Sequence, residues 1–470
     1  MLSSERRGRI RDAGPPDAAA RVRWLLVEKV SRALSTPPEY PEEELVARIS
    51  VDAGPADALA WLREQRAYPR LYWSGREGGT ETAAAGAADL QTGEGPEDIG
   101  ALGKRLRAAD ADGIRYYGGG RFDPERAADE EWEPFGAYRF VLPRFELRVG
   151  GTGTTLSCNL VLPRDRDLQE EILAQIEGLR VPSEDEDAVL PEPLYREDAP
   201  DRRGWEENVE HALSVFPEGR LGKVVLARRA GLGFAEELDG ISVVRELRDA
   251  TPGCFHFYVE PTEGTAFVGA SPERLYKREG RVVTSEAVAG TRPRGASSDD
   301  DEDLRDELLG SEKDRAEHGF VRVGIGEALG PLCEELEVEG GVSEMKLASR
   351  RHLVSSVRAR LRDGVTDAEV LGALHPTPAV GGYPKGGALE NIRDLEPFDR
   401  GWYAGPVGWV GADAAEFAVG IRSGLVRGRV LALFSGAGIV AGSRPEAEWA
   451  EIEQKIEDFT GAFGLGNRAR

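Results

Sequence analysis

From Trp205 onward the chain is a succession of short strand-like runs, and this limits its fold more than any other feature. "KVVLARRAGL" begins at Lys223, "CFHFYVE" at Cys254, "TAFVGA" at Thr265, "ERLYKREG" at Glu273 and "RVVTSEAVAG" at Arg281. Each run is rich in β-branched or aromatic residues and ends at a short turn, the pattern of strands. Strands that succeed one another through short turns pair antiparallel. Helical patterns such as "WEENVEHALSVF" fall between groups of strands, so the arrangement is α+β and not a strict βαβ alternation. Upstream, "AYRFVLPRFELRVGG" also alternates as a strand does, and no repeat of fixed period occurs. Two stretches poor in large apolar residues, 74–100 and 182–204, are expected to be flexible loops, and the acidic run "SSDDDED" at 297–303 a surface loop tip. The expected division is an N-terminal region, 1–204, belonging to the same unit as a catalytic region, 205–465.

The charge removes several functions. With 84 acidic against 60 basic residues the formal net charge is −24, a field that repels nucleic acid and anionic membranes. Such acidity with few lysines fits a halophilic habitat better than it fits an ordinary acidic soluble protein. Cys158, Cys254 and Cys333 show no CxxC spacing, which leaves neither a disulfide framework nor a zinc site and makes a reducing cytoplasm the default. The N-terminus has no signal-like apolar core, and no run approaches the roughly 18 apolar residues of a membrane span. "GAGIVAG" at 436–442 departs from the dinucleotide-binding spacing, so no nicotinamide or flavin site is expected.

Three segments could carry chemistry. In "SRPEAEWAEIEQKIEDF", Glu448, Glu451 and Lys455 share one helix face, and in "SEKDRAEHGFVRVGIGEAL" Glu317 lies on a second amphipathic helix beside His318. Carboxylates on two facing helices can hold Mg²⁺, which takes one or two of them and keeps room for water or an anion. The alternative is two solvated charged faces. "GASPERL" places Glu273 at a turn after a strand, as either a buried general acid or an ordinary turn residue. His352, in "RRHLVSSV", stands in a strand or helix, as a hydrogen-bonded structural residue or a catalyst. Finally, of the 60 basic residues only eight are lysine, and one is Lys223. Arginine supplies surface charge equally well but cannot lose its proton, so a lysine at this position suits a base.

In order and spacing, "KVVLARR", "FVGASPERL", "AVAGTRPRG", "SEKDRAEH", "RHLVSSV", "LHPTPAVGGYPK", "RGWYAGPVGW", "VGIRSG", "SGAGIV" and "PEAEWAEIEQK" resemble the chorismate-utilising enzymes: isochorismate, salicylate, anthranilate and aminodeoxychorismate synthases. The likeness spans 205–465, and "PRLYWSGREG" and "FVLPRFEL" extend it toward the menaquinone-type isochorismate synthases. It implies two large, mainly antiparallel β-sheets packed together with helices on the outside, and an enzyme acting on chorismate with Mg²⁺.

By the same resemblance Lys223 removes a proton from water attacking C2, Glu273 protonates the departing C4 hydroxyl, and His352 orients that hydroxyl. Glu317 and Glu451 are the implied metal ligands, with Glu448 acting through water. Gly290, Thr291 and Lys455 would line the ring-carboxylate side, and Tyr403, Arg422 and Gly436 would bind the enolpyruvyl carboxylate. Members that add ammonia have glutamine at the position of Lys223, which disfavours anthranilate synthase component I and makes a glutamine amidotransferase partner unexpected. Ala289 stands where aminodeoxychorismate synthases place a nucleophilic lysine, and Ala379 where salicylate synthases often have threonine. A non-catalytic chorismate-binding subunit would be expected to lose the acid, the base or the carboxylates. The product could serve menaquinone or siderophore biosynthesis, and a monomer or a homodimer would both suit the family.

Overall fold

The structure is a computed structural model that describes residues 17–36, 44–95, 100, 102, 106, 113–180, 190–219, 221–347 and 350–463. Strand pairing runs through two limbs that share the strand Tyr138–Gly150, and every pairing between them is antiparallel. One limb passes from Leu45–Asp52 and Gly153–Leu162 through Tyr138–Gly150, Thr80–Gly93, Arg70–Ser74, Phe255–Thr262, Thr265–Ser271, Ser423–Arg427 and Val430–Val440 to Lys223–Gly233. The other leaves through Arg115–Gly120, Pro406–Gly411, Ala414–Val419, Arg274–Glu279 and Val282–Pro293 to Arg350–Leu361.

Side-chain alternation explains how the limbs pack. Successive residues of a strand face opposite sides, so Leu71 and Trp73 enter the core between the limbs while Tyr72 faces outward. Across that core stand Tyr117, Val407 and Phe417 of the second limb, with Phe140 edge-on to Phe417 at 6.0 Å. The outward face of the first limb is covered by helices Ala18–Ser35, Ala58–Glu64, Gln169–Gly178 and Gly240–Ala250, which bury Leu26, Val30, Trp61, Ile172 and Ile241 against Tyr72, Tyr258 and Val268. Burial of this kind is the main favourable contribution to the fold.

Three expectations are corrected. The stretch 74–100 is not a loop for most of its length, because Thr80–Gly93 is a long strand. Its alanines are why it looked weak: Ala83 and Ala85 are buried on one face and Ala84 on the other, so small side chains fit where the sheet is covered on both sides. In 182–204, Tyr195–Ala199 is an edge strand paired with Lys223–Gly233 and the helix Arg202–Val215 starts at its end, while 182–189 lies outside the described residues, as does 96–99 of the first stretch. The run 297–303 is no loop tip: Ser297 caps the helix Ser298–Gly310, accepting from the Asp300 N–H, and Asp299, Asp300 and Asp301 occupy the first turn, where the helix dipole favours carboxylates.

Candidate active site

A cavity opens where the two limbs meet the helices Glu312–Leu329 and Pro445–Gly461. Glu273, Gly290, Thr291, Glu317, His352, Tyr403, Arg422, Gly436, Glu451 and Lys455 all line it. Lys223 and Glu448 stand behind the wall, each on an ion pair to a residue that does line it.

The helices are fixed before their side chains reach the cavity. Ser311 caps the first by accepting from the Asp314 N–H, and His318, one residue past Glu317, lies with Nε2 3.2 Å from the Ala287 carbonyl of the adjacent strand. The second begins at Pro445 and buries Ile452 and Ile456, which turns Glu448, Glu451 and Lys455 to the site. Lys223 opens its strand, in register with Val440, and is fully buried. Its Nζ lies 3.0 Å from Glu317 Oε1, in an ion pair.

Glu273 follows the strand Thr265–Ser271, its N–H donating to Ser271 Oγ at 3.2 Å and its carbonyl accepting from the Val419 N–H. Burial pushes its carboxyl up to about 8; Lys223 and Lys455 pull it down and Glu286 pushes it up. It is therefore a protonated acid at neutral pH. His352 sits on the strand Arg350–Leu361 opposite a bulge at Gly290, whose φ of 70° suits glycine. Its Nδ1 is 3.2 Å from the Gly290 carbonyl and 3.0 Å from Thr291 Oγ1. A carbonyl can only accept, which places the proton on Nδ1 and leaves Nε2, buried without a partner, as a bare acceptor at the cavity. Burial first, then Arg422, Lys455 and Arg350, depress this imidazole to about 3 against the pull of the Gly290 carbonyl, so it is neutral throughout the working range.

The side of the cavity formed by Tyr403, Arg422 and Gly436 is equally built. Tyr403 stacks on Phe434 at 5.1 Å, and Arg422 adopts a left-handed φ of 49°, its guanidinium 3.4 Å from Asp458. Lys455 Nζ donates to the Gly436 carbonyl at 2.8 Å and pairs with Glu451 at 2.8 Å. A Cβ on Gly436 would stand 3.0 Å from the Tyr403 hydroxyl and 3.1 Å from the Leu226 carbonyl, so glycine leaves the backbone open there without a shift of its neighbours.

Two residues escaped the sequence reading. Lys313 Nζ donates to Glu448 Oε1 at 2.5 Å and lines the cavity; its position one helical turn before Glu317 was the available signal. Gly438 lies two residues after Gly436, hence on the same strand face, and a Cβ there would fall 2.2 Å from Glu317 Oε1.

The donor set suits a hard cation in an open site. Glu317 and Glu451 bring carboxylate oxygens to the cavity from two helices, while Glu448, nearly fully buried, is engaged by Lys313 behind them. Among the described residues no three carboxylate, imidazole or thiol groups form a closed cage. Mg²⁺ typically uses only one or two carboxylates and retains water, so the pair fits it.

The family model for a chorismate binding enzyme matches residues 31–464. The chain belongs to the chorismate-binding enzymes. Among the relatives of this family, isochorismate synthase 2, chloroplastic, of Arabidopsis thaliana is 33% identical over 95% of this chain and 85% of its own length. The isochorismate synthase MenF of Bacillus subtilis is 36% identical over 74% of each chain. The solved structure of MenF, the menaquinone-specific isochorismate synthase from Escherichia coli, superposes with a TM-score of 0.81 at 30% identity, covering 93% of this chain and 99% of that one. The antiparallel sheet, its two limbs packed together with helices outside, is thus the chorismate-binding fold. No helix among the described residues is long and apolar enough to cross a membrane.

Proposed function

We propose that this chorismate-binding enzyme is an isochorismate synthase: water adds at C2 of chorismate while the C4 hydroxyl departs as water, reversibly. The observation that carries the reading is the Glu273 carboxyl, which burial holds protonated at neutral pH and which feels the charge of Lys223. An acid with a raised pKa beside an amine is the pairing that an allylic displacement of hydroxyl by water requires. Glu273 donates its proton to the leaving C4 oxygen, and Lys223 accepts one from the attacking water. His352 accepts a hydrogen bond at Nε2 from the C4 hydroxyl and orients it. Before Lys223 can act, Glu317 must turn from it to another partner and its ammonium must release a proton to solvent, leaving the neutral amine that serves as the base.

Glu317 and Glu451 would hold Mg²⁺, with Glu448 acting through water, and the ion would supply charge neutralisation for the ring carboxylate. Gly290, Thr291 and Lys455 bind on that side of the ring. Tyr403, Arg422 and the backbone at Gly436 take the enolpyruvyl carboxylate. The Lys313 and Lys455 ammonium groups and the Arg422 guanidinium give an acidic protein a local field that an anionic substrate tolerates. The enzyme works in the cytoplasm, as a monomer or homodimer without an amidotransferase subunit, and serves menaquinone rather than siderophore biosynthesis.

A salicylate synthase is the second reading, because that reaction passes through isochorismate. It is disfavoured by Ala379, which lines the cavity where that branch often has threonine. Purified protein incubated with chorismate and Mg²⁺ decides by product mass: an isomer of the substrate is expected. Salicylate with pyruvate, or an aminated product formed only with ammonia, would overturn the reading. Lys223→Gln is expected to lose 10²–10⁴-fold in rate, roughly the share that general base catalysis contributes.

A further inference from the structure

Every carboxylate assigned above to the cation has a lysine within ion-pair distance. Glu317 has Lys223 at 3.0 Å, Glu451 has Lys455 at 2.8 Å and Glu448 has Lys313 at 2.5 Å. The first two lysines have further duties, on water and on the Gly436 carbonyl. Lys313 has none yet. Its ammonium is nevertheless central, bonded to Glu448, within electrostatic reach of Glu451 and Glu317, and exposed to the cavity. Its side chain is 38% exposed while that of Glu448 is 2% exposed, so the lysine has room to withdraw and the glutamate does not.

In a chain that uses arginine for 52 of 60 positive charges, the residue facing this cluster is lysine. Guanidinium would lock two carboxylate oxygens in a planar fork, whereas an ammonium is a compact point charge on a flexible stem. That is the side chain expected where a cation has to leave so that another can enter. Without Lys313 the buried Glu448 carboxylate would lose its ion pair while keeping the like charge of Glu451 nearby.

We propose that Lys313 is an internal counter-ion of the metal site: its ammonium neutralises the Glu448, Glu451 and Glu317 cluster in the metal-free enzyme and is displaced when the divalent cation binds. The proposal rests on the metal assignment made above. It makes loading an exchange of one cation for another, so the lysine lowers the affinity for metal and stabilises the empty protein.

The test uses Mn²⁺ as the probe, with free and bound ion separated by electron paramagnetic resonance in the absence of substrate. The variants are Lys313→Gln, Lys313→Arg and Glu451→Gln in the full chain. The expected result is that Lys313→Gln binds Mn²⁺ about 3- to 10-fold more tightly than the parent, the range for loss of one partly solvated competing charge. Its unfolding midpoint in EDTA should fall, and Mn²⁺ should restore more of it than in the parent. Lys313→Arg, which keeps the charge, should bind no more tightly than the parent. Equal or weaker binding by Lys313→Gln, with Glu451→Gln binding poorly, would overturn the counter-ion proposal and leave the metal assignment standing. If the parent binds no Mn²⁺, or Glu451→Gln binds as well as the parent, the metal assignment fails and the proposal fails with it.

Discussion

Burial lifts the Glu273 carboxyl from an ordinary value of 4.5 to about 8, and the nearby ammonium groups do not cancel it. The consequence for stability has a definite sign. Between those two values the folded protein holds a proton that the unfolded chain releases, so this group's contribution is full below pH 4.5 and is lost as pH rises through about 8. Glu273→Gln cannot ionise and escapes that loss. From pH 5 to pH 9 its unfolding free energy should gain on the parent by an amount on the order of 4 kcal/mol. Chemical unfolding at the two pH values measures this, and an unchanging difference would contradict the assignment. At this scale the sequence was informative where a residue type was scarce: one lysine among many arginines marked Lys223. Lys313 was marked only by its place one helical turn before Glu317, and its meaning comes from a glutamate on a helix more than a hundred residues away. The proton held by Glu273 was equally illegible, since it depends on what surrounds the carboxyl.

On the strand Val430–Val440, Gly436 and Gly438 point to one side, and the helix Glu312–Leu329 comes close enough that Glu317 occupies the space a Cβ at 438 would need. Gly438→Ala would place a methyl group 2.2 Å from Glu317 Oε1 and 3.0 Å from Lys223 Cε, so the ion pair between them must shift. The expected outcome is a fall in kcat/KM of roughly 10²-fold, as small misplacements of reacting groups cause, with circular dichroism unchanged. Retention of full activity would mean that the placement of Lys223 and Glu317 does not matter to the reaction. Helix faces could be read from spacing, and the common orientation of Glu448, Glu451 and Lys455 follows from it. The strand Thr80–Gly93 could not, because alanine carries little strand preference and its burial on both faces is decided by neighbours distant in sequence. For the helix starting at Ser298, the acidic run hid a cap and a dipole-matched first turn behind a composition typical of loops.

The whole molecule gathers cationic side chains at one cavity of an acidic protein. The net charge of −24 is spread over the chain, whereas Lys223, Lys313, Lys455 and Arg422 gather where the two sheet limbs meet two helices. Sheet class and motif order were legible at this scale, since successive short strands permit little except antiparallel pairing. The closure of both limbs through the shared strand Tyr138–Gly150 was not, because it depends on pairings between residues far apart in sequence. The account turns on a hydroxyl that arrives from solvent instead of migrating within the substrate. Incubation with chorismate and Mg²⁺ in water enriched in ¹⁸O tests this directly by mass spectrometry. The account predicts isochorismate heavier by two mass units, with label appearing in recovered chorismate as the reaction reverses. Isochorismate formed without label would contradict it.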